Sequence, residues 1–200
     1  ADGATHAGSF DLAYLCCLPN VVVMAPSNEV ELANMVFTAS NYSKGPIFCR
    51  YPRGEGEGVD IPKSLNNIEI GKGRIIKKGN DLAILALGTR VGVALKVADD
   101  LIADGCSITV ADARFAKPID TDLLQKLWDE HQKLIIIEEG SVGGFSSHCL
   151  HFLSSNGALN ADEKEIRCLT MPDNFEDHAS QKEQLANAGL DADGLLNTIR

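Results

Sequence analysis

The sequence predicts an α/β protein with a mostly parallel sheet, and three observations carry that expectation. Short continuous apolar runs, such as Val21-Val22-Val23-Met24-Ala25 and Leu134-Ile135-Ile136-Ile137, have the pattern of strands buried on both faces. These runs alternate with segments of helical period, which implies crossover helices covering the sheet. Glycine and proline punctuate the joints, as at Pro26, Gly45-Pro46 and Gly105.

Taken in order, the chain opens on ADGATHAGSFD, where an acid, a hydroxyl and an imidazole stand among small residues. Such a stretch leaves the backbone open to a ligand and reads as a pocket-lining loop, with further chain expected ahead of it. The apolar run from Asn20 is ended by Pro26. Ser27 or Asn28 then caps a helix over Glu29 to Tyr42, with Asn28 and Glu31 at capping-box spacing and Leu32, Val36 and Ala39 on one face. Gly45-Pro46 stops that helix, and Ile47-Phe48-Cys49-Arg50-Tyr51 reads as a second strand. From Gly54 to about Gly79 the pattern weakens into a linker, with one short strand near Gly73 to Ile76. Alternation then resumes: strand Leu82 to Leu87, helix Val91 to Ala103, strand Ser107 to Ala111, helix Thr121 to His131 and strand Leu134 to Ile137. A helix near Phe145 to Leu153, a strand Ile166 to Met171 and C-terminal helices complete it.

Composition excludes several classes of partner. The 200 residues are 44% apolar, enough for one substantial core or a smaller domain plus part of another. A net charge of −10, from 28 acids against 18 bases, repels nucleic acid and anionic membranes, and neither is expected as a partner. No apolar run approaches the ~20 residues of a membrane span. The six cysteines form no C-x-x-C pair, which fits a reducing compartment. In His148-Cys149-x-His151 the two histidines, three apart, could share a helix face, but no second ligand pair follows at zinc-like spacing, so no metal site is expected.

Five residues carry candidate chemistry. Arg53, in Arg50-Tyr51-Pro52-Arg53-Gly54, follows a strand end, where ligands of open α/β sheets gather. Its planar fork suits phosphate or carboxylate, and the competing reading is a structural arginine paired with a carboxylate of a neighbouring domain. His6 could move protons near neutral pH or could bond a backbone carbonyl. Asp2 precedes Gly3 in an ordinary turn dipeptide. Glu138-Glu139 ends a strand ahead of Gly143-Gly144; acid/base work is open to the pair, but capping of the next helix is favoured.

The motifs DGATHAGSFDLAYL, PNVVVMAPSNEVE, RYPRG, LGTR, DARFAKPID and IIIEEG with VGGF resemble the 1-deoxy-D-xylulose-5-phosphate synthases, thiamine-diphosphate enzymes of the transketolase superfamily. The resemblance spans all 200 residues. LGT, D-x-R-x-x-K-P-ID and EEG with GG are shared across the superfamily, whereas DG-x-TH-x-G-x-FD-x-x-YL and RYPRG are closer to the synthases. Cys16 departs from the arginine common among them.

The resemblance implies a division into residues 1–60, the end of a pyrimidine-binding domain; 61–71, a linker; and 72–200, a transketolase-like C-terminal domain. It implies condensation of pyruvate with glyceraldehyde 3-phosphate to 1-deoxy-D-xylulose 5-phosphate and CO₂, feeding isoprenoid, thiamine and pyridoxal synthesis. His6 resembles the active-site histidine of that family, Asp2 the acid that bonds acceptor hydroxyls, and Arg53 the arginine that holds the acceptor phosphate. Thiamine diphosphate and Mg²⁺ are the implied cofactors, with their diphosphate and metal ligands outside this chain and no cofactor-binding residue assigned within it. A homodimer, a cytoplasmic location (plastid in a plant or alga) and a fragment inactive alone are further expectations. Two rivals stand beside this: a β subunit of a 2-oxo-acid dehydrogenase, and a noncatalytic interaction or regulatory module.

Overall fold

The computed structural model describes residues 3–6, 8–160 and 163–200. A short 3₁₀ turn at Ala4–His6 leads to α1 (Asp11–Cys16), β1 (Val22–Met24), α2 (Glu29–Ser40) and β2 (Ile47–Cys49). After the linker come β3 (Arg74–Lys77), β4 (Leu82–Ala86), α3 (Arg90–Asp100), β5 (Ile108–Asp112), β6 (Phe115–Lys117), α4 (Thr121–Glu130) and β7 (Lys133–Ile137). The chain closes with α5 (Phe145–Ser155), β8 (Glu165–Leu169), α6 (Gln181–Asn187) and α7 (Ala192–Ile199).

The larger sheet has the order β3-β5-β4-β7-β8, with β5, β4, β7 and β8 parallel and β3 antiparallel at one edge. Strand alternation explains how its two faces are covered. In β4, Ala83 and Leu85 join the core built with Leu124, Leu127, Trp128 and Phe145, while Ile84 and Ala86 join Val91, Val97, Leu190 and Leu195. Every residue of β4 and β5 is buried, as helices on both faces require. Asp120, Ser180 and Asp191 cap α4, α6 and α7 by accepting the N–H of Leu123, Glu183 and Gly194.

The smaller sheet, β2-β1-β6, joins the two halves of the chain. β1 pairs in parallel with β2 and antiparallel with β6, a strand from the second half that the sequence pattern does not predict. β6 delivers fully buried Phe115 against Met24 and Met35, and burying a side chain of that size is worth ~1.5–3 kcal/mol. Fully buried Leu12 of α1 makes the reverse exchange by packing in the core of the larger sheet.

α2 differs from expectation in the stripe it buries. Asn28 caps it by accepting the Glu31 N–H at 3.0 Å, but the Glu31 carboxylate is bound by Arg114 and Arg74. The buried face is Glu31, Met35 and Thr38, and Val36 is exposed. The physical reason is the incoming linker. Ile68 is buried beside Met35, and its N–H donates to Thr38 Oγ1 at 2.8 Å, so the chain beyond the helix selects the face.

Candidate functional site

The strand ends and the loops that follow them enclose a cavity of about 300 Å³. The first loop and the start of α1 supply His6, Phe10 and Asp11, the chain after β2 supplies Arg50 and Arg53, and β7 is followed by Glu139. The segment after β8 closes the far side.

The first loop is shaped by close packing. The His6 N–H donates to the Gly3 carbonyl at 3.1 Å, which closes the 3₁₀ turn. Gly3 has φ +66°, and a Cβ there would lie 2.4 Å from His178 Cε1, so the His178 ring rests directly on the glycine. The Phe10 and Phe175 rings meet edge to face at 5.5 Å. His6 itself is exposed, with Nδ1 at 3.0 Å from Thr5 Oγ1.

Behind this loop lies a nearly buried charge cluster. Arg50 donates from Nε to Asp11 at 3.0 Å and from Nη1 to Glu139 at 2.9 Å. The other Glu139 oxygen accepts from Arg90 Nε at 2.9 Å and from the Thr89 hydroxyl. Burial pushes the Glu139 carboxyl up, but Arg90 and Arg50 outweigh it and hold the group below the usual carboxylate range. Burial likewise opposes the Arg50 charge, and Glu139 and Asp11 reverse the effect and raise its pKa.

The structure brings His6 and Arg53 to one cavity. Asp2 lies outside the described residues. Arg50 is a structural arginine: its partner Glu139 is 89 residues away. The two acids of Glu138-Glu139 divide their work. Fully buried Glu138 accepts the N–H groups of Phe145 and Ser146 at 3.0 and 2.7 Å and so caps α5, with burial raising its pKa, whereas Glu139 faces the cavity. Asp11 and Arg50 were not singled out by sequence reasoning. The available signal was their place in the same two motifs as His6 and Arg53.

The thiamine diphosphate and Mg²⁺ implied by the resemblance can be tested against these residues. A Mg²⁺-bound diphosphate needs oxygen ligands converging on the cation and donors for the phosphates. Among the described residues no three His, Cys, Asp or Glu side chains gather as a metal would require. The most buried cation of the cavity, Arg50, is already bound by two carboxylates. The described residues therefore do not form a diphosphate and metal cradle. On α5, His148 is half-buried and His151 exposed, while Cys149 between them is buried. Among the described residues no helix is long and apolar enough to cross a membrane.

Residues 1–57 match the transketolase pyrimidine binding domain and residues 71–195 the transketolase C-terminal domain. Among solved structures, the chain is similar to a protein described as a split gene transketolase, an inactive beta4 tetramer, with TM-score 0.85 and 29% identity. That likeness covers 98% of this chain and 62% of the other, so the chain spans less than two thirds of that relative's length. Domains of this kind are those of thiamine-diphosphate-dependent, transferase-type enzymes. With the C-terminal domain match alone taking in more than half of its residues, the chain belongs to the transketolase family.

Proposed function

We propose that this chain is the acceptor-binding part of a thiamine-diphosphate enzyme that condenses pyruvate with glyceraldehyde 3-phosphate, releasing CO₂ and giving 1-deoxy-D-xylulose 5-phosphate. The observation that carries this reading is the meeting of His6 and Arg53 in one cavity at the strand ends. In this reading residues 1–60 and 72–200 are the two domains, joined by 61–71, and the diphosphate and Mg²⁺ are held by chain other than these residues. Arg53 holds the acceptor phosphate by charge-assisted hydrogen bonds, which turns remote binding energy into placement of the aldehyde. His6 exchanges a proton with the acceptor oxygen, and Asp2 bonds its hydroxyls. The Arg50–Glu139 pair holds the wall between them.

The test compares Arg53→Ala with the wild type in the complete enzyme on two acceptors. With glyceraldehyde 3-phosphate, kcat/KM should fall roughly 10- to 150-fold, the loss of bonds worth about 1.5–3 kcal/mol. With unphosphorylated glyceraldehyde it should fall far less. Equal losses on both acceptors would return Arg53 to a structural role.

A second reading has its own observation. The likeness to a split gene transketolase covers 98% of this chain, which favours a subunit that becomes active only with a second polypeptide carrying the rest of the site. Transfer of a two-carbon unit from a ketose phosphate, with no use of pyruvate, would select that reading.

A further inference from the structure

The loop that carries Arg53 continues as Gly54-Glu55-Gly56-Glu57-Gly58, and each alternate glycine makes room for a neighbour or takes a turn. It lies over a second cleft of about 980 Å³, which shares Tyr51, Pro52 and Arg53 with the first cavity. At Gly54, a Cβ would lie 2.8 Å from Gln181 Oε1, at the start of α6. At Gly56, a Cβ would lie 2.1 Å from Glu29 Oε1. Gly58 has φ +76°, and its N–H donates to the same Glu29 oxygen at 2.6 Å. Glu57 reaches the opposite wall, where its Oε1 would lie 2.8 Å from a Cβ on Gly92 in the first turn of α3.

Glu29 is the first residue of α2. Its carboxylate sits where the loop backbone turns inward, and hydrogen bonds hold its pKa down: first that from the Gly58 N–H, then its own N–H and those of Glu57 and Val59. One anionic side chain on a regular helix thus gathers the backbone of a glycine-rich loop that has almost no buried side chain of its own.

We infer that Glu29 is a positioning residue: by binding the backbone around Gly58 it sets the path of the loop from 53 to 58, and with it the place at which Arg53 presents its guanidinium to an acceptor phosphate. The inference rests on the phosphate-binding reading of Arg53. It assigns the GEGEG stretch a task, since a side chain at Gly56 would collide with the anchor and one at Gly58 would strain the turn.

The test uses Glu29→Ala, Glu29→Gln and Gly56→Ala in the complete enzyme, with Arg53→Ala beside them. Gly56→Ala attacks the contact from the loop side and leaves α2 intact, so it stands if Glu29→Ala fails to fold. Glu29→Ala and Gly56→Ala should speed amide hydrogen exchange over 53–59 and raise KM for glyceraldehyde 3-phosphate about tenfold at unchanged kcat. They should leave unphosphorylated glyceraldehyde unaffected and add nothing to Arg53→Ala. Glu29→Gln, which keeps an acceptor oxygen, should recover part of the KM. Wild-type exchange and KM in both anchor variants overturn the inference even where the loss in Arg53→Ala is confined to the phosphorylated acceptor. Faster exchange without acceptor selectivity also overturns it, because the loop then moves without moving the phosphate contact. Equal losses on both acceptors in Arg53→Ala would instead remove the phosphate reading, and this inference with it.

Discussion

Arg50 and Glu139 are joined guanidinium to carboxylate at 2.9 Å, with side chains 15% and 6% exposed, across 89 residues of sequence. The wall contributed by the chain after β2 and that contributed by the end of β7 are therefore one rigid feature of the cavity. Arg90 and Thr89 bind the other oxygen of the same carboxylate, so Glu139 is the member on which the cluster depends.

Removing one partner of a buried ion cluster leaves the rest uncompensated, at a cost of about 3–5 kcal/mol. Glu139→Ala should accordingly lower the urea midpoint of unfolding by that equivalent, and Glu139→Gln by less, since an acceptor oxygen survives. A midpoint equal to the wild type would mean that Arg50 and Arg90 find other carboxylates at no cost.

The same residue sets a pH dependence of known sign. Folding holds the Glu139 pKa below its ordinary 4.5, so the folded state binds that proton less tightly than the unfolded chain. Its contribution is fully present above 4.5 and is lost as pH falls through the depressed value. Burial shifts Asp112 and Glu138 upward, which gives them the opposite sign in acid. The stability difference between wild type and Glu139→Gln isolates the first effect. It should be largest near neutral pH and shrink below 4.5, as followed by denaturation at a series of pH values.

Gly3→Ala tests the packing beneath His6. The substitution meets both the φ of +66°, costing ~1–2 kcal/mol for an L residue, and the His178 ring at 2.4 Å. Thermal melting should show the loss, and His178→Ala in the same chain should recover the steric part but not the backbone part. Full recovery would show that the backbone at 3 adjusts freely.

His6→Ala should mainly lower kcat in the complete enzyme, since a proton-transfer group contributes about 10²–10⁴-fold. Its exposure predicts an unchanged melting temperature. Wild-type kcat across the pH range would remove His6 from the chemistry.

Calorimetric titration addresses the cofactor. The 200-residue chain alone should bind thiamine diphosphate with Mg²⁺ weakly or undetectably, because its described residues form no metal and diphosphate cradle. Micromolar, Mg²⁺-dependent binding would contradict that reading.

Much of the fold was legible in the sequence because its signals are local. Continuous apolar runs marked β1, β4 and β7, the alternation of strands and helices marked α2, α4 and α5, capping residues marked the starts of α2 and α5, and glycine and proline marked the joints. The motifs around His6 and Arg53 were visible for the same reason, since each is a short run whose residue types state a chemistry. β6 was not legible. Phe115-Ala116-Lys117 is too short to carry a period, and it becomes a strand only where β1 offers it an edge.

By itself, then, the sequence determined the order and class of most of the elements, α1 and β6 excepted, and the two motifs that line the cavity. Tertiary structure alone decided that α2 buries Glu31, Met35 and Thr38, because helical period defines a stripe only relative to the helix and the linker residue Ile68 selected which stripe it covers. It alone decided that Arg50 is committed to a distant carboxylate and that Glu138 caps a helix while its neighbour Glu139 faces the cavity. The physical reason is common to these cases: desolvation and Coulomb attraction act between groups that meet in space, and a separation of 89 residues leaves no trace of that meeting in local pattern.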